Sequence, residues 1–291
     1  MVGLRPANST AKVAPDCGAL RTGGEQIVAE SVEFQPRRFR TAAKHYLAGR
    51  SAYAPRLIEL VAGLVGLGTA DQVLDLGCGP GMLAGAFAPL AREVVAVDPE
   101  PEMLRIAEAQ FGGAGRIVFR QGSSFDLSPA WGRFRLVTMG RSFHWMDRAD
   151  TLRRLDGMIE PGGAVALFDS DMLDVPENAW REDYRAVVRR YASADTSHVR
   201  HRGPVWVRHE AFLLESAFNA LEQVSVIERR TVTVRQLVDR AFSRSSTAPG
   251  RLGDAAPRLA EEIEAVMRPL ATDGVLAEVV VTSALLGRRG G

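Results

Sequence analysis

Between residues 72 and 169 the chain alternates short apolar runs with stretches of helical pattern. Strands that are apolar on both faces and alternate with helices are typical of a parallel sheet covered by helices on each side. The pattern therefore predicts an α/β fold built on a doubly wound, mostly parallel sheet. Seven strands are predicted, which read QVLDLG, EVVAVD, RIVFRQG, FRLVTMG, AVALFD, QVSVIERRTVTV and AEVVVTSALL.

The composition argues against several classes of partner. The 291 residues are 46% hydrophobic and 24% charged, as in soluble globular proteins, and the formal net charge is +1. So small a charge gives no global attraction to nucleic acid or to an anionic membrane. The apolar run from Leu57 to Leu67 is too short to cross a bilayer, and the first residues lack a secretory signal. We predict a cytoplasmic protein that binds neither nucleic acid nor a membrane. Its oligomeric state stays open.

A glycine-rich turn ends the first predicted strand, in the sequence VLDLGCGPG from Val73 to Gly81. Ligands bind at the carboxyl ends of parallel strands, and glycine lets the backbone approach a ligand closely. Asp98 ends the second strand, where its carboxylate can accept hydrogen bonds from ribose hydroxyls. A tight turn without a ligand would explain the glycines, but not Asp75 and Asp98 together. The segment therefore predicts a nucleoside site.

The spacing of the glycines separates two kinds of nucleoside cofactor. The dinucleotide pattern G-x-G-x-x-G needs a glycine at position 82, where this chain has Met82. The stretch instead resembles the E/D-x-G-x-G-x-G signature of the class I S-adenosylmethionine-dependent methyltransferases, with Asp75 and the glycines at 77, 79 and 81 in register. The resemblance continues through VDPEPEML, QGSSFDL and IEPGG, from Arg40 to Asp169. It implies a Rossmann-like methyltransferase fold and S-adenosylmethionine as the cofactor.

This resemblance also implies a role for each matching residue. Asp75 would meet the methionine ammonium group, Asp98 would hold the ribose diol, and Met103 would lie near the adenine. Many relatives carry an acid where this chain has Ser123, to accept from the adenine amino group. The full set of expected cofactor-binding residues is Asp75, Gly77, Cys78, Gly79, Gly81, Asp98, Pro99, Met103, Ser123, Ser124, Phe125 and Gly140.

The segment MGRSFHWMDR follows the fourth strand and resembles a small-molecule methyltransferase subgroup that includes the trans-aconitate enzymes. A His-Trp pair follows this strand in that subgroup. His144 can accept a proton near neutral pH, and the face of Trp145 can attract a sulfonium cation. We therefore take His144 as the candidate catalytic base. The alternative is that the aromatic residues belong to the core and that His144 holds backbone.

Upstream, HYLAGRSAY is similar to a Tyr-x-x-x-Arg-x-x-Tyr pattern in the helical lid of the same subgroup. It supplies Tyr46, Arg50 and Tyr53, and Arg141 ends the fourth strand. A guanidinium pairs in bidentate fashion with carboxylate or phosphate. These residues predict a small-molecule acceptor that is anionic. Arg50 could instead pair with the carboxylate of the cofactor, or it could be a surface arginine.

Other functions find less support in the sequence. Base-modifying relatives often carry an Asn/Asp-Pro-Pro-aromatic motif after the fourth strand, and the sequence from Gly140 to Phe143 lacks it. His198 and His201 have the spacing of metal ligands on a helix, but no cysteine or suitable carboxylate completes a site, so no metal is predicted. Two alternatives to a methyltransferase stay open. One is a non-catalytic protein that binds S-adenosylmethionine, and the other is a nicotinamide-dependent dehydrogenase, which Met82 disfavours.

The domain organisation follows from these assignments. Residues 1–33 mix small, polar and charged residues without periodicity, which predicts a disordered tail. Residues 34–170 form the N-terminal lid, helical from Thr41 to Leu67, and the cofactor-binding core. Residues 171–220 form an inserted helical cap with two helices. Residues 221–291 supply strands and helices that complete the sheet.

Overall fold

The computed structural model describes residues 41–192 and 206–290, and the tail and the pair His198 and His201 lie outside this part. The described residues form one seven-stranded sheet with the order β3-β2-β1-β4-β5-β7-β6. Its strands are β1 (Gln72–Leu76), β2 (Glu93–Asp98), β3 (Ile117–Gln121), β4 (Phe134–Gly140), β5 (Ile159–Met172), β6 (Ala220–Thr233) and β7 (Val275–Arg288).

Strand pairing confirms the predicted doubly wound sheet. β1 lies between β2 and β4, and the pairs from β3 to β5 are all parallel. Only β7 runs the other way, antiparallel to both β5 and β6. The chain moves outward from β1 to β3 and then returns to the other side of β1 with β4. Such a reversal opens a crevice at the carboxyl ends of β1 and β4, where ligands bind in open α/β sheets.

Helices cover both faces of the sheet and form an additional layer. Their bounds are α1 (Ala43–Gly49), α2 (Pro55–Val65), α3 (Met82–Phe87), α4 (Pro101–Phe111), α5 (Arg148–Asp156), α6 (Arg181–Tyr191), α7 (His209–Leu214), α8 (Val234–Phe242), α9 (Pro249–Leu252) and α10 (Ala255–Met267). Short 3₁₀ turns span Gly112–Ala114, Ser124–Asp126, Pro129–Trp131, Phe143–Trp145, Pro176–Asn178, Ser245–Thr247 and Arg268–Leu270.

The lid differs from the continuous helical pattern predicted between Thr41 and Leu67. Helix α1 ends at Gly49, and α2 begins only at Pro55. Ala54 has an extended ψ of 129°, because a residue that precedes proline is disfavoured in the helical region. The break releases residues 50–54 from helical geometry, so Arg50 and Tyr53 reach the carboxyl edge of the sheet from a loop.

Two apolar clusters pack on opposite faces of the sheet. One joins α2 and α3 to the strands through side chains such as Leu57 and Phe87. The other joins α5 and α7 to the opposite face, where Leu155 and Phe212 meet strand residues. Burial on both faces explains why the central strands are almost continuously apolar.

A third apolar cluster lies among the helices beyond the sheet. Helix α6 contributes Tyr184, Val187 and Val188, at helical spacing, and packs against α8 and α10. This layer therefore draws on the segment between β6 and β7 as well as on residues 171–220, while α7 packs on the sheet. No helix in the described residues is long and apolar enough to span a membrane.

Candidate functional site

The glycine turn is fixed to the end of β2 by backbone hydrogen bonds. The N–H groups of Gly77 and Cys78 both donate to the carbonyl oxygen of Val97, at 2.8 and 2.9 Å. Proline is common in the first turn of a helix, but α3 begins only at Met82. Gly81 is the N-cap of α3 with a left-handed φ of 83°, so Pro80 lies in the turn that precedes it.

Asp98 connects this turn to the second strand. One carboxylate oxygen accepts from the N–H of Gly79 at 2.8 Å, and the other accepts from the N–H of Glu100 at 2.9 Å. Burial raises the pKa of Asp98 to about 6, although both backbone donors lower it. The carboxylate lies at the strand end where the resemblance places the ribose diol.

Gly79 leaves open space where a side chain would begin. Its φ is +54°, and no atom lies within 4 Å of the position that a Cβ would take. An L side chain is strained at this φ, so glycine keeps the backbone conformation accessible. The turn therefore presents bare backbone to a ligand, directly beside Asp98.

Asp75 is a carboxylate buried beneath the same turn. It is 1% exposed, and its oxygens accept from the N–H of Ala84 at 3.0 Å and the hydroxyl of Thr138 at 2.9 Å. Burial raises the pKa of Asp75 to about 7, against the lowering effect of both donors, and the nearby Asp98 raises it further. A buried carboxylate without a cation beside it is suited to receive an ammonium group.

The expected adenine end combines a buried wall with one exposed ring. Met103 on α4 is 3% exposed and Ser124 is 5% exposed, while Phe125 is 49% exposed. Ser123 forms a capping box with Asp126, whose carboxylate accepts from the backbone N–H and the hydroxyl of Ser123. These bonds lower the pKa of Asp126 and hold the turn that carries Ser123.

At the end of β4, Gly140 and Arg141 have unusual backbone surroundings. A Cβ at Gly140 would lie 2.8 Å from Cδ1 of Leu83 and 2.9 Å from the hydroxyl oxygen of Tyr53, so a larger residue here would displace these side chains. Arg141 has a φ of 56°, which is uncommon for a bulky residue, and its N–H donates to the carbonyl oxygen of Phe168 at 3.0 Å. Strained backbone of this kind is concentrated at functional sites.

The lid residues lie close to Arg141 at this edge. The guanidinium carbons of Arg50 and Arg141 lie 5.4 and 6.0 Å from the ring centre of Tyr46, and that of Arg141 lies 5.3 Å from the ring of Tyr53. Arg50 donates from Nε to the hydroxyl of Ser243 at 2.9 Å. Burial lowers the pKa of Arg50 to about 10, which still leaves it charged at neutral pH.

His144 and Trp145 belong to a second group of side chains. They lie in the 3₁₀ turn after β4, and their ring centres are 4.7 Å apart. The ring of His144 also stacks near His209 of α7, at 6.5 Å and 20°. The role of His144 as a base stays a prediction.

Several polar residues of the site escaped the sequence analysis. Thr138 is a polar residue within an apolar strand, which is a signal that could have marked it. Ser142 donates to the carbonyl oxygen of Leu76 at 2.8 Å and so links the ends of β4 and β1. Within residues 41–192 and 206–290, no three metal-ligating side chains group closely enough to hold an ion.

Part of the chain, which includes the expected cofactor-binding residues, matches a known protein family. Residues 73–163 match the family model of the methyltransferase domain. They contain the glycine turn, both carboxylates and the end of β4. This segment is thus similar in sequence to a methyltransferase domain.

Particular relatives are similar over a limited length. An uncharacterized methyltransferase of Mycobacterium bovis is 30% identical over 129 residues, which cover 44% of this chain and 50% of that protein. A ubiquinone biosynthesis O-methyltransferase of Azorhizobium caulinodans is 35% identical over 96 residues, 32% of this chain and 38% of that protein. The chain thus spans half or less of the length of these relatives.

A solved structure shows that the fold extends further than the sequence similarity. A candidate type II methyltransferase from Anaeromyxobacter dehalogenans superposes with a TM-score of 0.54, at 19% identity, over 82% of this chain and 97% of that one. The fold is therefore the Rossmann-like methyltransferase fold that the glycine signature implies.

Proposed function

We propose that the chain transfers the methyl group of S-adenosylmethionine to a small-molecule acceptor. The observation that carries this proposal is the open turn at Gly79 between two buried carboxylates, Asp75 and Asp98. It is supported by the match of residues 73–163 to a methyltransferase domain. A cytoplasmic location and the absence of nucleic-acid partners stay predictions of the sequence.

The residues present fit the proposed cofactor. The raised pKa of Asp75 shows a carboxylate that lacks a compensating cation, and an ammonium group supplies one. Asp98 can accept hydrogen bonds from a diol, and the bare backbone at Gly79 admits close approach. When bound, S-adenosylmethionine supplies an electrophilic methyl group on a sulfonium centre.

The chain itself contributes mainly by positioning. Ser142 joins the end of β4 to the end of β1 beside the cofactor turn, and the rings of Tyr46 and Tyr53 lie close to Arg141 at the same edge. Holding two reactants in a near-attack geometry lowers the barrier by about 7–11 kcal/mol, whereas a general base adds about two to four powers of ten in rate. Transfer by direct in-line displacement therefore needs little covalent assistance, and His144 is proposed as the base.

We propose further that the acceptor is anionic. The support is the position of Arg50 and Arg141 around Tyr46, where neither forms an ion pair within the described chain. The assignment to the trans-aconitate subgroup is part of the same proposal. The atom of the acceptor that receives the methyl group stays open.

An acceptor screen tests the activity. Carboxylic acids, phenols and amines are each incubated with S-adenosylmethionine, and release of the demethylated cofactor is measured. We expect release with at least one carboxylic acid. Cofactor binding without release for any acceptor would instead support the non-catalytic alternative.

A further inference from the structure

Arg244 is a cation for which the proposed function so far gives no role. It follows α8 and precedes the 3₁₀ turn Ser245–Thr247. Its Nε is buried and has no hydrogen-bond partner, and it forms no ion pair with any described residue. A buried N–H group without a hydrogen-bond partner costs free energy, so the placement of Arg244 needs an explanation.

The surroundings of Arg244 connect it to the lid. Its neighbour Ser243 accepts the hydrogen bond from Nε of Arg50 at 2.9 Å. Arg244 and Arg141 both lie close enough to Arg50 to lower its pKa through charge repulsion. Three guanidinium groups from the lid, β4 and the segment after α8 therefore gather at one place.

These three arginines differ from Arg240, which forms an ion pair. Arg240 lies one turn earlier, on α8, and its guanidinium donates to the carboxylate of Glu278, which is 2% exposed. The protein therefore compensates one buried arginine of this region internally. Among the described residues, no carboxylate forms an ion pair with Arg50, Arg141 or Arg244. Burial opposes the charge of Arg141, whereas the hydroxyls of Tyr53 and Tyr46 and the carboxylate of Asp169 raise its pKa.

The segment that carries Arg244 is held in place by its own hydroxyls. Ser243 donates to the carbonyl oxygen of Arg240 at 2.8 Å, and Thr247 donates to that of Ala241 at 2.6 Å. Ser245 and Ser246 are also buried. These bonds hold the backbone at Arg244, so only the side chain has to be ordered when a ligand binds, which lowers the entropic cost of binding.

We propose that Arg244, with Arg50 and Arg141, binds an oxyanion group of the methyl acceptor, either a carboxylate or a phosphate. This inference rests on the proposed function and makes Arg244 a specificity-determining residue of that site. The anion supplies the charge compensation that the protein lacks, and the guanidinium forks supply bidentate hydrogen bonds.

Thermal unfolding of the full chain tests this inference without any turnover. Citrate, succinate and inorganic phosphate are titrated separately at constant ionic strength, against Arg244→Met, Arg244→Lys and the matched control Arg240→Met. We expect at least one anion to raise the Tm of the original chain, and the response shows whether carboxylate or phosphate is bound. The half-saturating concentration should rise about tenfold or more in Arg244→Met, with an intermediate value in Arg244→Lys.

The variants should also differ in the absence of anions. Arg244→Met should raise the Tm by about 2–4 °C, because it removes an uncompensated charge, whereas Arg240→Met should lower the Tm and keep the anion response. The inference is overturned if no anion stabilises the original chain, or if Arg244→Met responds as the original chain does. Calorimetry with S-adenosylmethionine tests the proposed function separately. Anion stabilisation that depends on Arg244 supports the anion-binding site whether or not S-adenosylmethionine binds.

Discussion

The carboxylate of Asp98 accepts a hydrogen bond from the N–H of Gly79 across 2.8 Å. This bond joins the end of β2 to the turn that follows β1, so the acid and the open backbone of the site are fixed relative to each other. A ribose would meet both at once. This hydrogen bond therefore helps to fix the shape of the proposed cofactor site.

Replacement of Asp98 tests its role in binding the diol. We expect Asp98→Asn to weaken both S-adenosylmethionine and its demethylated product by about 10- to 100-fold, because a charged acceptor is lost from the proposed hydrogen bonds. Calorimetry gives both affinities. Glu102→Gln is the matched control, since this exposed acid pairs with Arg105 at the start of α4. If Asp98→Asn and Glu102→Gln bind the cofactor with equal affinity, the assignment of Asp98 to the ribose diol is wrong.

The open position at Gly79 predicts a specific steric effect. Gly79→Val should abolish cofactor binding, because the side chain enters the space that the ligand needs and a φ of +54° is strained for valine. Gly253→Val provides a control with the same φ and equally open surroundings, far along the chain in the helical layer. Both variants should lose similar stability in thermal unfolding, but only the first should lose binding. Retained affinity in Gly79→Val would exclude the turn from the site.

The raised pKa of Asp75 predicts proton release on binding. A cation beside this carboxylate favours its charged form, so the pKa falls from about 7 when the ammonium group binds. At pH 6.5, binding should release roughly three-quarters of a proton from Asp75, and at pH 9 almost none. Calorimetry in buffers of different ionisation enthalpy measures the release. Asp75→Asn should remove most of it, and an undiminished release in this variant would show another source.

The same two carboxylates set a pH dependence of stability without ligand. The folded-state pKa values of Asp75 and Asp98, about 7 and about 6, lie above the ordinary value of 3.8. The folded state therefore binds more protons, and this stabilisation is complete below about pH 4 and lost as the pH rises through 6 and 7. Asp75→Asn should unfold with a flatter pH profile between pH 4 and 8. A steeper profile would contradict the assigned direction.

The candidate base predicts a separation of kcat from binding. His144→Ala should slow turnover by about two to four powers of ten once an acceptor is identified, with cofactor affinity nearly unchanged. Steady-state kinetics and calorimetry check the two parts. Unchanged turnover would assign His144 to the aromatic group with Trp145 and His209.

The sheet could be predicted from the sequence because its causes are local. Apolar runs of strand length, the glycine turn at the end of β1 and the acid at the end of β2 lie close together along the chain. The break in the lid was also encoded locally, by Pro55, but the helical periodicity around it concealed the break. Periodicity alone does not show where a helix ends.

The rest of the site depends on contacts between distant residues. Arg50 meets Ser243 across 193 positions, and Asp75 meets Thr138 across 63. No pattern within either segment specifies its partner. The left-handed backbone of Arg141 is likewise a result of tertiary packing, since the residue type disfavours it.

The most direct test of the central claim is calorimetric titration of the full chain with S-adenosylmethionine, its demethylated product and a nicotinamide dinucleotide. The account predicts that the first two bind at one site, each excluding the other, and that both lose affinity in Gly79→Val. It predicts no binding of the dinucleotide. Binding of the dinucleotide alone would contradict the account, because the turn after β1 would then serve a pyrophosphate.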